Sequence, residues 1–225
     1  MSCVPSGDVG CCTATQEVEI GKVISIAQQK GGSGKTTLAA NLAVAFARAG
    51  HRVALLDTDP QGSLGRWFMA RLARGEPGLE FSTSSAWGVS YESEKLRKLV
   101  DFVIIDTPPK IDADLRPALR EADLILIPVA SSHVDLWATQ GVIDLALREK
   151  KRAAIVLNRV RAGTRLGAEV AAAAAGLQAD LIAAQLANRV VYAEALGLGF
   201  GVQEMGAPAA TAEMQRLADE VQGRL

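Results

Sequence analysis

Aromatic side chains are scarce in this 225-residue chain. Five Phe, three Trp and two Tyr make up 4 %, against 49 % hydrophobic residues in all. Its core must therefore be aliphatic, and alanine-rich helical stretches suit close packing on a sheet. Cysteine is scarcer still: Cys3, Cys11 and Cys12 all precede the first apolar run, and no C-x-x-C spacing of a metal knuckle occurs. An odd count in one short stretch offers no disulfide framework and suits a reducing compartment. Net charge is nearly absent, −1 at pH 7, which leaves nucleic-acid binding open, since a basic patch can sit inside a balanced total. No apolar run approaches the ~18 residues that mark a membrane-crossing helix. The first residues also lack the charged-then-apolar order of a secretion signal. The expectation is a cytoplasmic protein with a flexible leader over 1–18 and one sizeable domain over 19–225.

What the chain does have is concentrated in residues 23–37. Val23-Ile24-Ser25-Ile26-Ala27 reads as a short buried strand. Gly31, Gly32 and Gly34 follow within four positions, and Lys35-Thr36-Thr37 opens an Ala- and Leu-rich helical stretch. Strand, glycine turn, lysine, hydroxyl and helix is the order that builds a phosphate nest. Glycines let successive backbone N–H groups converge on the anion, and the helix N-terminus adds partial positive charge. Lys30, Gly31, Gly32, Ser33, Gly34, Lys35, Thr36 and Thr37 are thus the candidate nucleotide-binding residues, with Lys35 on the β- and γ-phosphates and Thr36 on Mg²⁺. The general motif wants glycine five positions before Gly34, where this chain has Gln29, and Lys30 comes next. One lysine neutralises a single bound triphosphate, so Lys30 needs its own explanation.

Three further positions fit a Mg·ATP site. Asp106 ends the apolar run Phe102-Val103-Ile104-Ile105 and precedes Thr107-Pro108-Pro109, where a metal-holding acid belongs. The loop 107–114 then lies where a γ-phosphate sensor would be. Asp57 and Asp59 share the end of the run 52–57; acids two apart can point to one side of an extended segment, and one can position the attacking water. The plainer role for either is to cap the next helix. Asn158 ends the run 153–158, where an amide suits hydrogen bonding to a purine or, alternatively, a helix cap. Basic residues gather nearby: Arg148, Lys150, Lys151, Arg152, Arg159, Arg161 and Arg165 stand against Glu149 alone. They suit sequence-independent phosphate contacts on DNA, or form a solvated charge run.

Helices are expected over 36–49, across Trp67-Phe68-Leu72, over 95–99, across 115–122, and over 134–148, 167–175 and 210–225. Residues 74–92 read as loop or short irregular strands, and 181–182 as a short strand. Continuous apolar strands between helices imply one α/β domain with a mostly parallel central sheet flanked by helices on both sides, and together with the glycine-lysine motif the expectation is a single P-loop NTPase domain.

The stretch K-G-G-S-G-K-T-T, with D-T-D-P-Q-G-S over 57–63 and D-T-P-P over 106–109, resembles the deviant Walker A ATPases of the ParA/MinD family. The resemblance spans about 21–222 and includes the R-x-x-Y-x-x-A-x-x-x-G pattern at Arg189, Tyr192, Ala195 and Gly199. It implies that ATP and Mg²⁺ are the cofactors and that the ATP form is a homodimer, with Lys30 crossing to the partner's phosphates. It further implies that Lys30, Lys35 and Asp59 serve hydrolysis, Asp59 orienting water. Asp57, Asp106 and Thr36 would serve the metal and Asn158 the adenine. Non-specific DNA binding in the C-terminal half would fall to Arg161, Arg165 and Arg189, and the protein would then be nucleoid-associated. A partner protein on the cargo (a plasmid, a chromosomal locus or a protein assembly) would stimulate slow hydrolysis. The C-terminal residues lack the basic-aromatic membrane helix of MinD, so no membrane partner is expected. The alternatives are a docking switch without DNA, a metabolic relative such as a dethiobiotin or cobyrinate amidation synthase, and an iron–sulfur ATPase, which would require a cysteine pair after the nucleotide motifs.

Overall fold

The structure, a computed structural model, describes residues 20–75, 77–109, 115–130 and 132–225. The cysteine-bearing leader and part of the expected sensor loop, 110–114, lie outside them. In chain order the strands are β1 (Lys22–Ile26), β2 (Val53–Asp57), β3 (Glu80–Thr83), β4 (Phe102–Asp106), β5 (Leu124–Ala130), β6 (Ala153–Asn158) and β7 (Asp180–Leu181). They pair in the order β3-β2-β4-β1-β5-β6-β7, and every pairing is parallel. The helices are α1 (Lys35–Arg48), α2 (Ser63–Leu72), α3 (Val89–Leu96), α4 (Leu115–Glu121), α5 (His133–Trp137), α6 (Gln140–Arg148), α7 (Arg165–Ala175), α8 (Val190–Gly197) and α9 (Pro208–Gln222). No described helix is long and apolar enough to cross a membrane.

The unbroken apolar strands follow from burial on both faces. Successive side chains point to opposite sides. Ile24, Ile26, Leu55, Ile104, Leu126 and Val156 meet α1, α2, α8 and α9. Val23, Leu56, Val103 and Ile105 meet α3 and α4, while Ile125, Ile127, Ile155 and Leu157 meet α4, α6 and α7. Full burial of each such side chain is worth about 1.5–3 kcal/mol relative to exposure, so a polar residue inside these runs would be costly on either face. In the central strands β2 and β4 the acid therefore comes at the last residue, Asp57 and Asp106, and those carboxyl ends lie side by side along one edge of the sheet.

Several elements depart from the sequence expectation. In α1, Leu38, Leu42 and Ala45 are buried but Ala49 is exposed, because the helix stops at Arg48 and the chain turns at Gly50. Residues 74–92 hold the edge strand β3, a 3₁₀ turn at Ala86–Gly88 and the start of α3, so the helical piece expected over 95–99 is the end of a longer helix. The single helix expected over 134–148 is two helices. Ser132 caps the first, and Thr139, fully buried, ends it by donating its hydroxyl to the Asp135 carbonyl. α8, for which periodicity offered no helix, covers the Tyr192 segment.

The C-terminal segment is clasped to α2. The Trp67 indole donates to the Phe200 carbonyl at 3.0 Å, and Arg71 makes a two-pronged pair with Glu204 at 2.8 and 3.0 Å. Gly199 is required at this contact: it has φ +72°, and a Cβ there would lie 2.4 Å from the Arg71 nitrogen. At the other end of α2, the Gly65 N–H donates to Asp57 at 3.0 Å. One short helix thus joins the end of β2 to the turn that follows α8.

Candidate functional site

The chain leaves β1 through Gln28, whose fully buried amide donates to Pro128 and Thr139 and fixes the start of the loop against β5. The loop then runs through Gly31 and Gly32, where a Cβ would meet nothing within 4 Å, so its backbone faces open space. Gly34 reverses the chain into α1 with φ +94°, and a Cβ there would fall 2.4 Å from the Asn158 amide nitrogen. Only glycine meets both demands. Lys35 is 7 % exposed and its ammonium donates to the Gln28 carbonyl at 3.1 Å. Burial lowers its pKa, against the raising influence of Asp106 and Asp59. An anion at the loop would relieve that desolvated charge.

Asp106 and Asp57 stand side by side at the ends of β4 and β2. Asp106 accepts from the Thr36 hydroxyl at 2.7 Å through one oxygen; the other is buried and has no partner. Burial pushes its pKa up to about 7, opposed by the Thr36 hydrogen bond, with Asp57 adding to the rise. An orphaned carboxylate oxygen beside a hydroxyl, at the mouth of an anion nest, fits Mg²⁺. Among the described residues no three His, Cys, Asp or Glu cluster around a metal position. Magnesium in nucleotide sites takes one or two carboxylates and fills its shell with phosphate oxygens and water, so Asp106 and Thr36 suffice. Asp57 is placed differently: its oxygens accept from the Asp59 and Gly65 N–H groups at 3.1 and 3.0 Å, so it organises the loop that follows β2. Burial raises its pKa as well. Asp59 accepts from the Gln61 N–H at 2.9 Å and lines a cleft of about 340 Å³ together with Gly32, Lys35, Thr36 and Thr37.

On the other side of β1, a cavity of about 440 Å³ has an apolar lining of Leu38, Leu186, Leu196 and Met214, with Asn158 and Tyr192 among its polar groups. Asn158 is 7 % exposed and stitched into the protein at both ends of its amide. It donates to the Ser33 carbonyl at 2.9 Å and accepts from the Arg159 N–H at 2.9 Å. One amide hydrogen remains for a base.

The two lysines of the motif are treated oppositely. Lys35 is inside, whereas the Lys30 side chain is 42 % exposed and pairs at 2.6 Å with Asp135 of α5, a residue that is itself buried. Asp135 has no motif to announce it. The pattern Ser132-x-x-Asp135 marks a helix start, but nothing local ties it to residue 30.

The basic run does not stay together. β6 separates it, placing Arg148, Lys150, Lys151 and Arg152 at one end of the strand and Arg159, Arg161 and Arg165 at the other, roughly 20 Å away for six residues. Arg165 is highly exposed and pairs with Glu169. Arg161 and Arg189 lie on adjoining segments, since Val160 bridges Ala187. Arg189, however, is held by Glu213 at 2.7 Å and lines the cavity beside Asn158. Glu213, 24 residues away, also meets the Tyr192 hydroxyl.

A family model for the CobQ/CobB/MinD/ParA nucleotide binding domain matches residues 24–197. The chain is 30 % identical over 206 residues to the maintenance of carboxysome distribution protein A of Halothiobacillus neapolitanus, covering 88 % of this chain and 95 % of that one. It is 35 % identical over 159 residues to the chromosome-partitioning ATPase Soj of Thermus thermophilus, covering 59 % of this chain and 63 % of that protein's length. Among solved structures, the ATP complex of a McdA variant from Cyanothece matches with a TM-score of 0.76 at 18 % identity, covering 90 % and 96 % of the two chains. At that identity the likeness is one of fold.

Proposed function

The chain belongs to the MinD/ParA nucleotide-binding family of P-loop ATPases, and on that footing we propose that it is an ATP-dependent dimerising switch that binds non-specific DNA and positions a cargo. Lys35, Thr36 and the glycine loop would take the phosphates, and Asp106 with Thr36 would hold Mg²⁺, which when bound would neutralise charge during phosphoryl transfer to water. Asp59 orients the attacking water, while Asp57 holds the Asp59 loop in place. A partner protein carried by the cargo accelerates a slow basal reaction.

The observation behind this reading is the unequal placement of the lysines. Lys35 already lies in the nest, so Lys30 is surplus to its own subunit. It lies on an exposed rim, is tethered through one ion pair, and is free to reach a second nucleotide once that pair opens. A second reading, a protein-docking switch without DNA, draws support from the division of the basic run by β6 and from the Glu213 partner of Arg189.

DNA binding by the Asp59→Ala protein separates the two. This variant lacks the water-orienting carboxylate and should persist as an ATP dimer. Fluorescence anisotropy should then show binding to unrelated duplexes, weak without ATP. With about six phosphates contacted, the log–log slope against salt is about −5. Arg161→Glu should weaken binding to all sequences alike. No binding at low salt would remove DNA from the mechanism and leave the docking switch.

A further inference from the structure

Arg159 has a left-handed backbone, φ 53°. For a residue with a Cβ this costs about 1–2 kcal/mol, so something has to hold it there. The Asn158 side chain does so from one side, accepting the Arg159 N–H at 2.9 Å. From the other, Val160 donates to the Leu186 carbonyl and Asn188 donates back to Val160, each at 2.9 Å. Strain held on both sides at the rim of a ligand cavity is typical of residues whose direction matters.

Alone among the described residues, Arg159 lines all three neighbouring cavities. It borders the base cavity with Asn158 and Tyr192, the phosphate cleft with Gly34 and Thr36, and a third cavity of about 430 Å³ beside Asp135. Arg165 pairs with Glu169 and Arg189 with Glu213, whereas Arg159 and Arg161 form no ion pair among the described residues, and of these two only Arg159 reaches the base cavity and the phosphate cleft. A guanidinium on the boundary between base cavity and phosphate cleft stands where the sugar of a nucleoside polyphosphate meets its first phosphate. Its fork of donors matches two phosphate oxygens.

We propose that Arg159 is a nucleotide-binding residue that contacts the sugar and α-phosphate, and that Asn158 is the bracket that aims it by joining its backbone to the phosphate loop. The inference rests on the ATP-switch reading and adds to it a cation that serves ATP and ADP alike.

Arg159→Gly is the informative variant, because glycine accepts the left-handed backbone and removes only the side chain. Calorimetric titration should show Mg·ATP and Mg·ADP both weakened by a similar factor, on the order of 10-fold, as for loss of a charged hydrogen bond. Arg159→Lys should recover part of the loss. The melting temperature of nucleotide-free Arg159→Gly should equal or exceed that of the wild type, since strain is relieved. In an Asn158→Ala background, Arg159→Gly should cost little more, because the side chain is no longer aimed. Unchanged affinity overturns the assignment. So does a loss confined to ATP, which places the guanidinium at the γ-phosphate, and so does weakened binding that accompanies a lowered melting temperature. Additive losses in the double variant overturn the bracket. Wild-type protein that binds neither nucleotide overturns the ATPase reading along with it.

Discussion

Asp106 is destabilising in the protein without ligand, and Asp106→Asn should reveal that. Its carboxyl is about 1 % exposed, one oxygen has no partner, and burial raises its pKa from the ordinary 3.8 to about 7. The raised value means that the folded state holds a proton the unfolded state has lost between about pH 4 and 7. Stability therefore falls as pH rises through that window, and the loss is complete above it. At roughly 1.4 kcal/mol per pH unit, the full cost is on the order of 4 kcal/mol at pH 8. Asparagine keeps the shape and an acceptor for Thr36 but takes a counter-charge from Lys35, so the net gain should be about 1–3 kcal/mol. For a chain of this size that raises the melting temperature at pH 8 by roughly 2–12 °C. The advantage should shrink toward pH 5, and Mg²⁺ should cease to strengthen ATP binding. Thermal unfolding of both proteins from pH 5 to 8 without nucleotide is the assay. An Asp106→Asn protein less stable than wild type at pH 8, or with the same pH dependence, would refute the reasoning.

Lys30→Ala should retain nucleotide binding yet form no stable ATP dimer. Asp135→Asn, which removes the charge that tethers Lys30, should dimerise at lower protein concentration. Light scattering with a non-hydrolysable analogue checks both, and dimerisation unchanged in either variant would count against the exchange of partners. Arg71→Ala leaves the Glu204 carboxylate unpaired in a partly buried position and removes the donor to the Gly199 carbonyl. The expected cost is about 2 kcal/mol, a melting temperature lower by roughly 4–8 °C. An unchanged melting curve would show that the clasp contributes nothing.

The nest was legible in sequence because its chemistry is contiguous: loop, lysine, hydroxyl and helix are neighbours in the chain. Asp57, Asp106 and Asn158 were legible because an acid or amide ending an apolar run has few packing explanations. The partners of these groups were not. Asp135 lies 105 positions from Lys30, and Glu213 pairs with Arg189 across the fold, so no local pattern links them. The start of α3 was hidden because its inward positions are Val89, Ser93 and Leu96, with a serine at the centre of the buried stripe. The break at Thr139 was hidden because its buried hydroxyl meets Gln28, 111 positions away in the chain, a contact that no local pattern announces. The basic run misleads for the opposite reason: its residues are near in sequence but not in space, because a strand intervenes.

With β1 in the middle of the strand order, the candidate site groups divide between its two sides. Asp57 and Asp106 end β2 and β4 on one flank, and Asn158 ends β6 on the other. On the ATP-switch reading proposed above, the choice of ligand and its lifetime would be served by separate stretches of chain, joined at the phosphate loop and at Arg159. A substitution of Asn158 on the β6 flank would then retune the choice of ligand more than its lifetime, and substitutions at Asp59 beyond β2 would do the converse. For the switch proposed above this division would be valuable: its clock could be slowed or quickened without changing its fuel.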